Sequence, residues 1–163
     1  NVFISINNCQ FIIFASGDLD NSSVKEITDK IIVIGVDKGS LWLIKHGITP
    51  DLSIGDFDSV SPEELKFIKS KSGKTEIYPA DKDYSDAHLA VIMALELNPS
   101  SISIYGAIGS RIDHTLANIF LLKLCLDKNI PAVIKNTHNE IQLINKNIDL
   151  PKLKQFKYLS IIP

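Results

Sequence analysis

The sequence is poor in the residues that indicate several classes of protein. Its two cysteines, Cys9 and Cys125, lie far apart and outside any C-x-x-C spacing, so neither a disulfide framework nor a zinc site is predicted. No apolar run approaches the length that crosses a bilayer, and no basic leader precedes a hydrophobic stretch and a small-residue cleavage site. With 17 basic and 19 acidic residues the net charge is −2, so there is no basic surplus for nucleic acid or an anionic membrane. We therefore expect a cytoplasmic protein with a small-molecule partner.

The remaining composition is that of an ordinary globular domain. Of the 163 residues, 45% are hydrophobic and 22% are charged, which is sufficient for one well-packed core. The first residue is Asn1, and the run from Tyr158 to Ile162 is typical of a strand that is cut short. We therefore expect further sequence at both ends.

Short apolar runs alternate with helical segments along the chain. Strands are predicted at 11–15, 31–36, 52–54, 75–78, 102–105 and 132–135, with a possible further one at 141–144. Helices are predicted at 24–30 (capped by Ser22 or Ser23), from 41 to the stop at Gly47, from Ser61-Pro62 to Gly73, at 89–97 and at 116–126. Continuously apolar strands that alternate with helices indicate a parallel sheet covered on both faces. The predicted fold is a doubly wound, mainly parallel α/β domain of Rossmann-like type.

Acidic residues cluster where the predicted strands end. Ligands of doubly wound sheets bind beyond the carboxyl ends of the strands, and that is the position of Asp18, Asp37, Asp56, Asp58, Asp81, Asp83, Asp86 and Asp113. Short polar residues also favour turns and helix caps. A structural role is therefore the default interpretation for Asp18, for Asp51 after Pro50, and for Asp113 before a helix.

The stretch from Gly55 to Ser59 contains two carboxylates one residue apart. If this stretch is extended, Asp56 and Asp58 lie on one side and Phe57 turns into the protein. Two such carboxylates can share a hard cation. Mg²⁺ prefers oxygen ligands and usually binds together with substrate phosphates, so the pattern favours a nucleotide enzyme.

Neither of the common phosphate-binding loops is present. The Ser72–Thr75 segment has Ile68 where a P-loop needs its first glycine, and it precedes a strand instead of following one. Gly106 and Gly109 do not form the dinucleotide pattern either. Phosphates must then be held by a metal and by side chains, for which the candidate cations are Lys38, Lys82 and Arg111. Arg111 is favoured because a glycine-flanked strand-end loop presents it beside Asp113 and His114.

Five linked motifs resemble those of thiamine pyrophosphokinase, and the match covers roughly residues 11–145. They are Val36–Gly39, Gly47–Asp51, Gly55–Ser59, Asp81–Asp86 and Gly109–His114. The resemblance implies an ATP-dependent diphosphotransferase, a homodimer that uses Mg²⁺ and moves pyrophosphate from ATP to the hydroxyl of thiamine, giving thiamine diphosphate and AMP. It also implies a catalytic α/β domain at 1–145, and at 146–163 a linker and the first strand of an incomplete C-terminal all-β domain, which in the family helps to form the thiamine pocket.

The resemblance also implies roles for individual residues. Asp56, Asp58 and Asp86 would bind Mg²⁺ and, with Asp113, would be catalytic; the ATP site would be lined by Asp37, Gly39, Lys82, Ser85, Arg111, Asp113 and His114. Three positions depart from the family pattern, because Lys38 replaces a small residue, Ser85 a threonine, and Ala87-His88 follows where Glu is common. Which carboxylate accepts the hydroxyl proton of thiamine is left open.

Two alternatives of different kinds stay open at this point. A D-x-D phosphatase with an aspartyl nucleophile would release inorganic phosphate without AMP, although residues 52–54 make a weak strand for such a site. A non-catalytic module that binds a nucleotide or thiamine is the second alternative, and a turnover assay distinguishes it from an enzyme.

Overall fold

A computed structural model describes residues 9–81, 83–150 and 156–163. Within these ranges seven strands form one sheet in the order β4-β3-β2-β1-β5-β6-β7. The strands are β1 Gln10–Phe14, β2 Ile31–Val36, β3 Leu52–Gly55, β4 Lys74–Ile77, β5 Ser101–Tyr105, β6 Ala132–Lys135 and β7 Glu140–Ile141. All neighbouring pairs are parallel except β6 and β7. The prediction of a doubly wound, mainly parallel α/β fold is confirmed.

The apolar runs explain which strands are central. The four residues from Phe11 to Phe14 in β1 are fully buried, because this strand is covered on both faces and has a neighbour on each side. One face packs against helices α3 and α4, and the other against α1. The helices are α1 Lys38–Lys45, α2 Pro62–Lys71, α3 Asp86–Glu96 and α4 Ile112–Asp127.

Helix α2 begins where the sequence predicts. The hydroxyl of Ser61 accepts the N–H of Glu64, the Glu64 carboxylate accepts the N–H of Ser61, and Pro62 occupies the first turn. This capping box satisfies backbone donors that have no partner inside the helix. None of the helices in the described parts of the chain has both the length and the apolar character that crossing a membrane requires.

Three sequence predictions differ from the structure. The helix expected at 24–30 is only a short 3-10 helix at Ser23–Glu26, because Ile27 turns to an extended conformation and packs on the α1 face of the sheet. The possible strand at 141–144 is limited to Glu140–Ile141. Residues 156–163 form no strand, since a strand needs a neighbour to pair its backbone groups and the described sheet provides none there. The domain boundary at 145/146 stays a prediction.

The loops that follow β1 and β5 are joined beyond the ends of these strands. The N–H of Ala15 donates to Tyr105 O at 2.8 Å, that of Gly17 to Gly106 O at 2.8 Å, and that of Asp18 to Ile108 O at 3.0 Å. A side chain on Gly17 would collide with the Gly106 carbonyl. We call this connection the loop bridge, and it lies at the point where the strand order reverses.

Candidate metal and nucleotide site at the strand ends

Three carboxylates from different elements meet at the carboxyl edge of the sheet. Asp37 directly follows β2, Asp56 directly follows β3, and Asp86 is the first residue of α3. One oxygen from each lies within 4.8 Å of the others, and each residue is half-buried. Because β2 and β3 are parallel neighbours, their two aspartates are brought side by side by the sheet itself. We call this group the acidic cluster.

The backbone at the acidic cluster is held in an uncommon conformation. Asp37 has φ 46° and Phe57 has φ 56°, in the left-handed region that costs a non-glycine residue about 1–3 kcal/mol. The Asp37 N–H donates to Ile54 O at 3.0 Å, and its Oδ1 accepts the N–H of Phe57 at 3.0 Å. Gly55 is required, since a Cβ there would collide with the Asp37 carboxylate. The Phe57 side chain is buried against Leu41 and anchors the loop.

Burial and the neighbouring acids raise the pKa of Asp37 to about 7. Burial is the largest cause, because it disfavours the charged form, and the negative charges of Asp86 and Asp56 add to it. The hydrogen bond from the Phe57 N–H acts in the opposite direction. A divalent cation would relieve this repulsion, and an all-oxygen donor set suits Mg²⁺ or Ca²⁺ better than a softer metal. The residues present therefore fit a hard divalent metal.

The geometry differs from the predicted extended D-x-D. Phe57 does turn inward, but its left-handed backbone means that Asp56 and Asp58 are not presented together as an extended strand would present them. Asp58 is exposed, and its N–H donates to Asp56 Oδ1 at 3.0 Å. Asp37 occupies the third place in the acidic cluster. The assignment of Asp58 as a metal ligand stays a prediction.

The predicted phosphate-binding group lies at the start of α4. Arg111 Nη2 donates to Asp113 Oδ2 at 2.6 Å and Nε to Oδ1 at 3.3 Å, and both side chains are exposed. The ion pair raises the pKa of Arg111 and lowers that of Asp113. His114 is exposed beside them. The structure therefore places Arg111, Asp113 and His114 together, with Arg111 engaged by the carboxylate of Asp113.

Two of the other predicted ATP-site residues, Ser85 and Gly39, make structural contacts, as does Asp51. The Ser85 hydroxyl caps α3 by accepting the N–H of His88 at 3.2 Å. Gly39 is buried in the first turn of α1, where a Cβ would collide with the carbonyl of Phe14. Asp51 accepts the N–H of Val33 at 2.8 Å, which confirms its structural reading. Lys82 lies outside the described residues.

Two residues at this edge have contacts that the sequence analysis did not assign. Asp37 is predicted to line the ATP site, and the structure also places it in the acidic cluster; its position directly after the strand beside β3 is the signal for joining it to Asp56. Thr115 was not singled out, and it is buried: its hydroxyl accepts the N–H of Gly109 at 3.2 Å and lies 3.2 Å from Arg111 O. Thr115 therefore fixes the loop that carries Arg111.

The fold and the site define an α/β protein with a candidate divalent-metal site at the carboxyl edge of its sheet. A family model described as "Thiamin pyrophosphokinase, catalytic domain" matches residues 23–134. The chain therefore belongs to the thiamin pyrophosphokinase catalytic domain family, and the resemblance seen in the five motifs is confirmed.

Individual relatives agree with this membership. The chain is 39% identical over 131 residues to a protein named thiamine pyrophosphokinase from Bacillus subtilis, a match that covers 80% of this chain and 61% of the relative. A crystal structure of thiamine pyrophosphokinase from Bacillus subtilis matches with a TM-score of 0.75 and 36% identity, over 82% of this chain and 63% of that one. Yeast thiamin pyrophosphokinase has a TM-score of 0.71 at 14% identity, over 86% of this chain and 62% of that one, and so supports the fold alone. The chain thus spans less than two thirds of each relative.

Proposed function

We propose that this chain binds ATP with Mg²⁺ at the strand ends and, in the complete protein, moves pyrophosphate from ATP to the hydroxyl of thiamine. The products are thiamine diphosphate and AMP. The observation that carries the proposal is the acidic cluster of Asp37, Asp56 and Asp86, which lies at the ligand-binding edge of the sheet. Membership of the thiamin pyrophosphokinase family selects this reaction among those that such a cluster could serve.

Each group has a distinct part in the proposed reaction. Asp37, Asp56 and Asp86 would hold Mg²⁺, with Asp58 as a further proposed ligand from the same loop. When bound there, the cation would supply charge neutralisation for the phosphate oxygens. Arg111 leaves Asp113 to bind phosphate oxygens, since a planar guanidinium can bind two oxygens at once. Lys82, Ser85 and His114 are proposed to complete the ATP site.

The thiamine hydroxyl must lose a proton as it attacks the β-phosphorus, and a carboxylate of the site is proposed to accept it. Asp113 is poorly suited as this base, because Arg111 lowers its pKa and an efficient base has a pKa near the working pH. Asp113 is better assigned to controlling Arg111. Replacement of Asp113 by Asn should therefore alter ATP affinity more than the pH dependence of turnover.

We propose that the acceptor site is completed outside residues 9–150, by an all-β domain and by the partner subunit of a homodimer, in the cytoplasm. Residues 1–145 would then hold ATP, and 146–163 would lead into that second domain. Calorimetry on this chain should show Mg-ATP binding with weak thiamine binding, whereas full-length protein should bind both. Equal thiamine affinity in the two proteins would show that the acceptor pocket does not depend on the second domain, which would contradict this proposal.

Product analysis tests the reaction itself. Full-length protein supplied with ATP, Mg²⁺ and thiamine should form AMP and thiamine diphosphate in equal amounts, because the α-phosphate stays with the nucleoside. ADP should not accumulate. Formation of ADP, or of inorganic phosphate without AMP, would refute the proposal, and the latter would favour the phosphatase alternative.

A further inference from the structure

A polar cavity of about 300 Å³ lies at the same edge of the sheet, on the other side of the loop bridge. Its wall includes Glu26, Tyr105, Lys135, Thr137, Glu140 and Phe156. None of these residues belongs to the acidic cluster or to the group around Arg111. The cavity is therefore a separate compartment of the carboxyl edge.

The sheet register fixes how far this cavity lies from the acidic cluster. Phe14 is in register with Gly35 on one side and with Tyr105 on the other, and Ile104 is in register with Ile134. Tyr105 and Lys135 therefore stand in one row with Gly35, two residues before Asp37. With neighbouring strands about 4.8 Å apart, Lys135 is about 14 Å from the end of β2. An extended ATP covers that distance.

The cavity contains an acceptor held in a fixed position. Lys135 Nζ donates to both oxygens of Glu26, at 3.2 and 3.3 Å. Burial raises the pKa of Tyr105, and the nearby Glu26 carboxylate raises it further. The ion pair joins the short 3-10 helix to strand β6. A carboxylate has about four lone-pair positions, so Glu26 can still accept a hydrogen bond from a ligand. Acidic side chains bind ribose hydroxyls in other doubly wound proteins, and Glu26 presents such a group from the end of the 3-10 helix.

We propose that this cavity binds the nucleoside part of ATP, with the Glu26 carboxylate accepting a hydrogen bond from a ribose hydroxyl. This inference rests on the proposed function. The triphosphate then crosses the loop bridge to reach the acidic cluster. Thr137 and Glu140 supply further polar groups, and Phe156 supplies an aromatic wall. Lys135 and Tyr105 are positioning residues, because they act through Glu26.

The test compares whole ATP with its fragments on this chain. Calorimetry measures the Kd of Mg-ATP, of Mg-2′,3′-dideoxy-ATP and of Mg-tripolyphosphate, for the wild type, for Glu26→Gln and for the exposed-acid control Glu63→Gln. We expect the wild type to bind Mg-ATP at least tenfold more tightly than the dideoxy analogue, since a hydrogen bond to a charged group is lost. Glu26→Gln should remove this preference while tripolyphosphate binding stays within twofold. Glu63→Gln should behave as the wild type.

Thermal unfolding of each variant controls for misfolding, and Tyr105→Phe provides a second variant that keeps the aromatic ring but loses the hydroxyl near Glu26. It should reduce the ribose preference in the same direction. A wild type that binds Mg-ATP and shows no preference for ribose hydroxyls overturns this inference and leaves the proposed function intact. Weaker thiamine binding with unchanged ATP binding in Glu26→Gln also overturns it and assigns the cavity to the acceptor. A wild type that binds no Mg-ATP overturns both.

Discussion

The replacement Asp37→Asn tests separately how the acidic cluster affects the stability of the fold and how it affects metal binding. The pKa of Asp37 rises from 3.8 to about 7 on folding, and each unit corresponds to about 1.4 kcal/mol. Ionised Asp37 therefore costs the metal-free fold about 4 kcal/mol at neutral pH and above, as an upper figure. Asn keeps an oxygen for the Phe57 N–H and carries no charge. We expect the metal-free Asp37→Asn variant to be more stable than the wild type at pH 8.

The pH dependence gives the sign of the effect. Because the folded state raises this pKa, it binds more protons than the unfolded chain between about pH 4 and pH 7, so this contribution to stability is lost as the pH rises through that window. Urea unfolding in EDTA should show that the free energy of unfolding decreases less between pH 5 and pH 8 for Asp37→Asn than for the wild type. The matched control is Asp29→Asn, which removes one exposed aspartate and should leave the decrease unchanged.

Added metal should reverse the order of stability. Titration with Mg²⁺ at pH 8 should raise the free energy of unfolding of the wild type and of Asp29→Asn, and should do so much less in Asp37→Asn. If Asp37→Asn is no more stable than the wild type without metal, then burial and the neighbouring acids do not destabilise the ionised Asp37 carboxylate in the folded state. If it gains as much as the wild type from Mg²⁺, Asp37 does not bind the metal.

Three further predictions follow from contacts in the structure. Gly55→Ala should lose Mg²⁺-dependent stabilisation without any change of charge, because its Cβ displaces the Asp37 carboxylate, and retained stabilisation in a Mg²⁺ titration would contradict this. Arg111→Lys should weaken Mg-ATP binding by roughly tenfold, about 1.4 kcal/mol, since Lys cannot bind two oxygens in a fixed plane; unchanged affinity by calorimetry would make Arg111 a surface residue. Ser61→Ala should lower the free energy of unfolding by about 1 kcal/mol with metal binding intact, and a loss of metal binding would show that α2 positions the site.

The sheet and its order of elements could be predicted because the signals are local. The continuously apolar Phe11–Phe14 run is fully buried as expected, and Ser61-Pro62 starts a helix through contacts within four residues. The helix predicted at 24–30 is longer than the observed 3-10 helix, because the packing of Ile27 on the α1 face of the sheet overrides local preference. Short-range patterns do not contain that information.

The site was only partly predictable for a related reason. Strand-end position predicts that aspartates converge at one edge, but the presence of Asp37 in the acidic cluster depends on the left-handed backbone of Phe57 and on the space left by Gly55. The pair of Glu26 and Lys135 joins residues 109 positions apart, so no local motif marks it. The topology brings the strand-end aspartates to one edge of the sheet, whereas the packing of the loops decides which of their atoms come into contact.

The loop bridge separates two compartments, each of which can contribute to the affinity for one ligand. Because the backbones of Gly17 and Gly106 close the gap between the two halves of the sheet, a ligand that reaches both compartments binds as a bivalent molecule with its own phosphate chain as the tether. Its affinity then reflects the effective concentration at which one end finds its compartment after the other is bound. Adenosine and tripolyphosphate added together, at equal concentrations, should therefore bind far more weakly than the same two parts covalently joined.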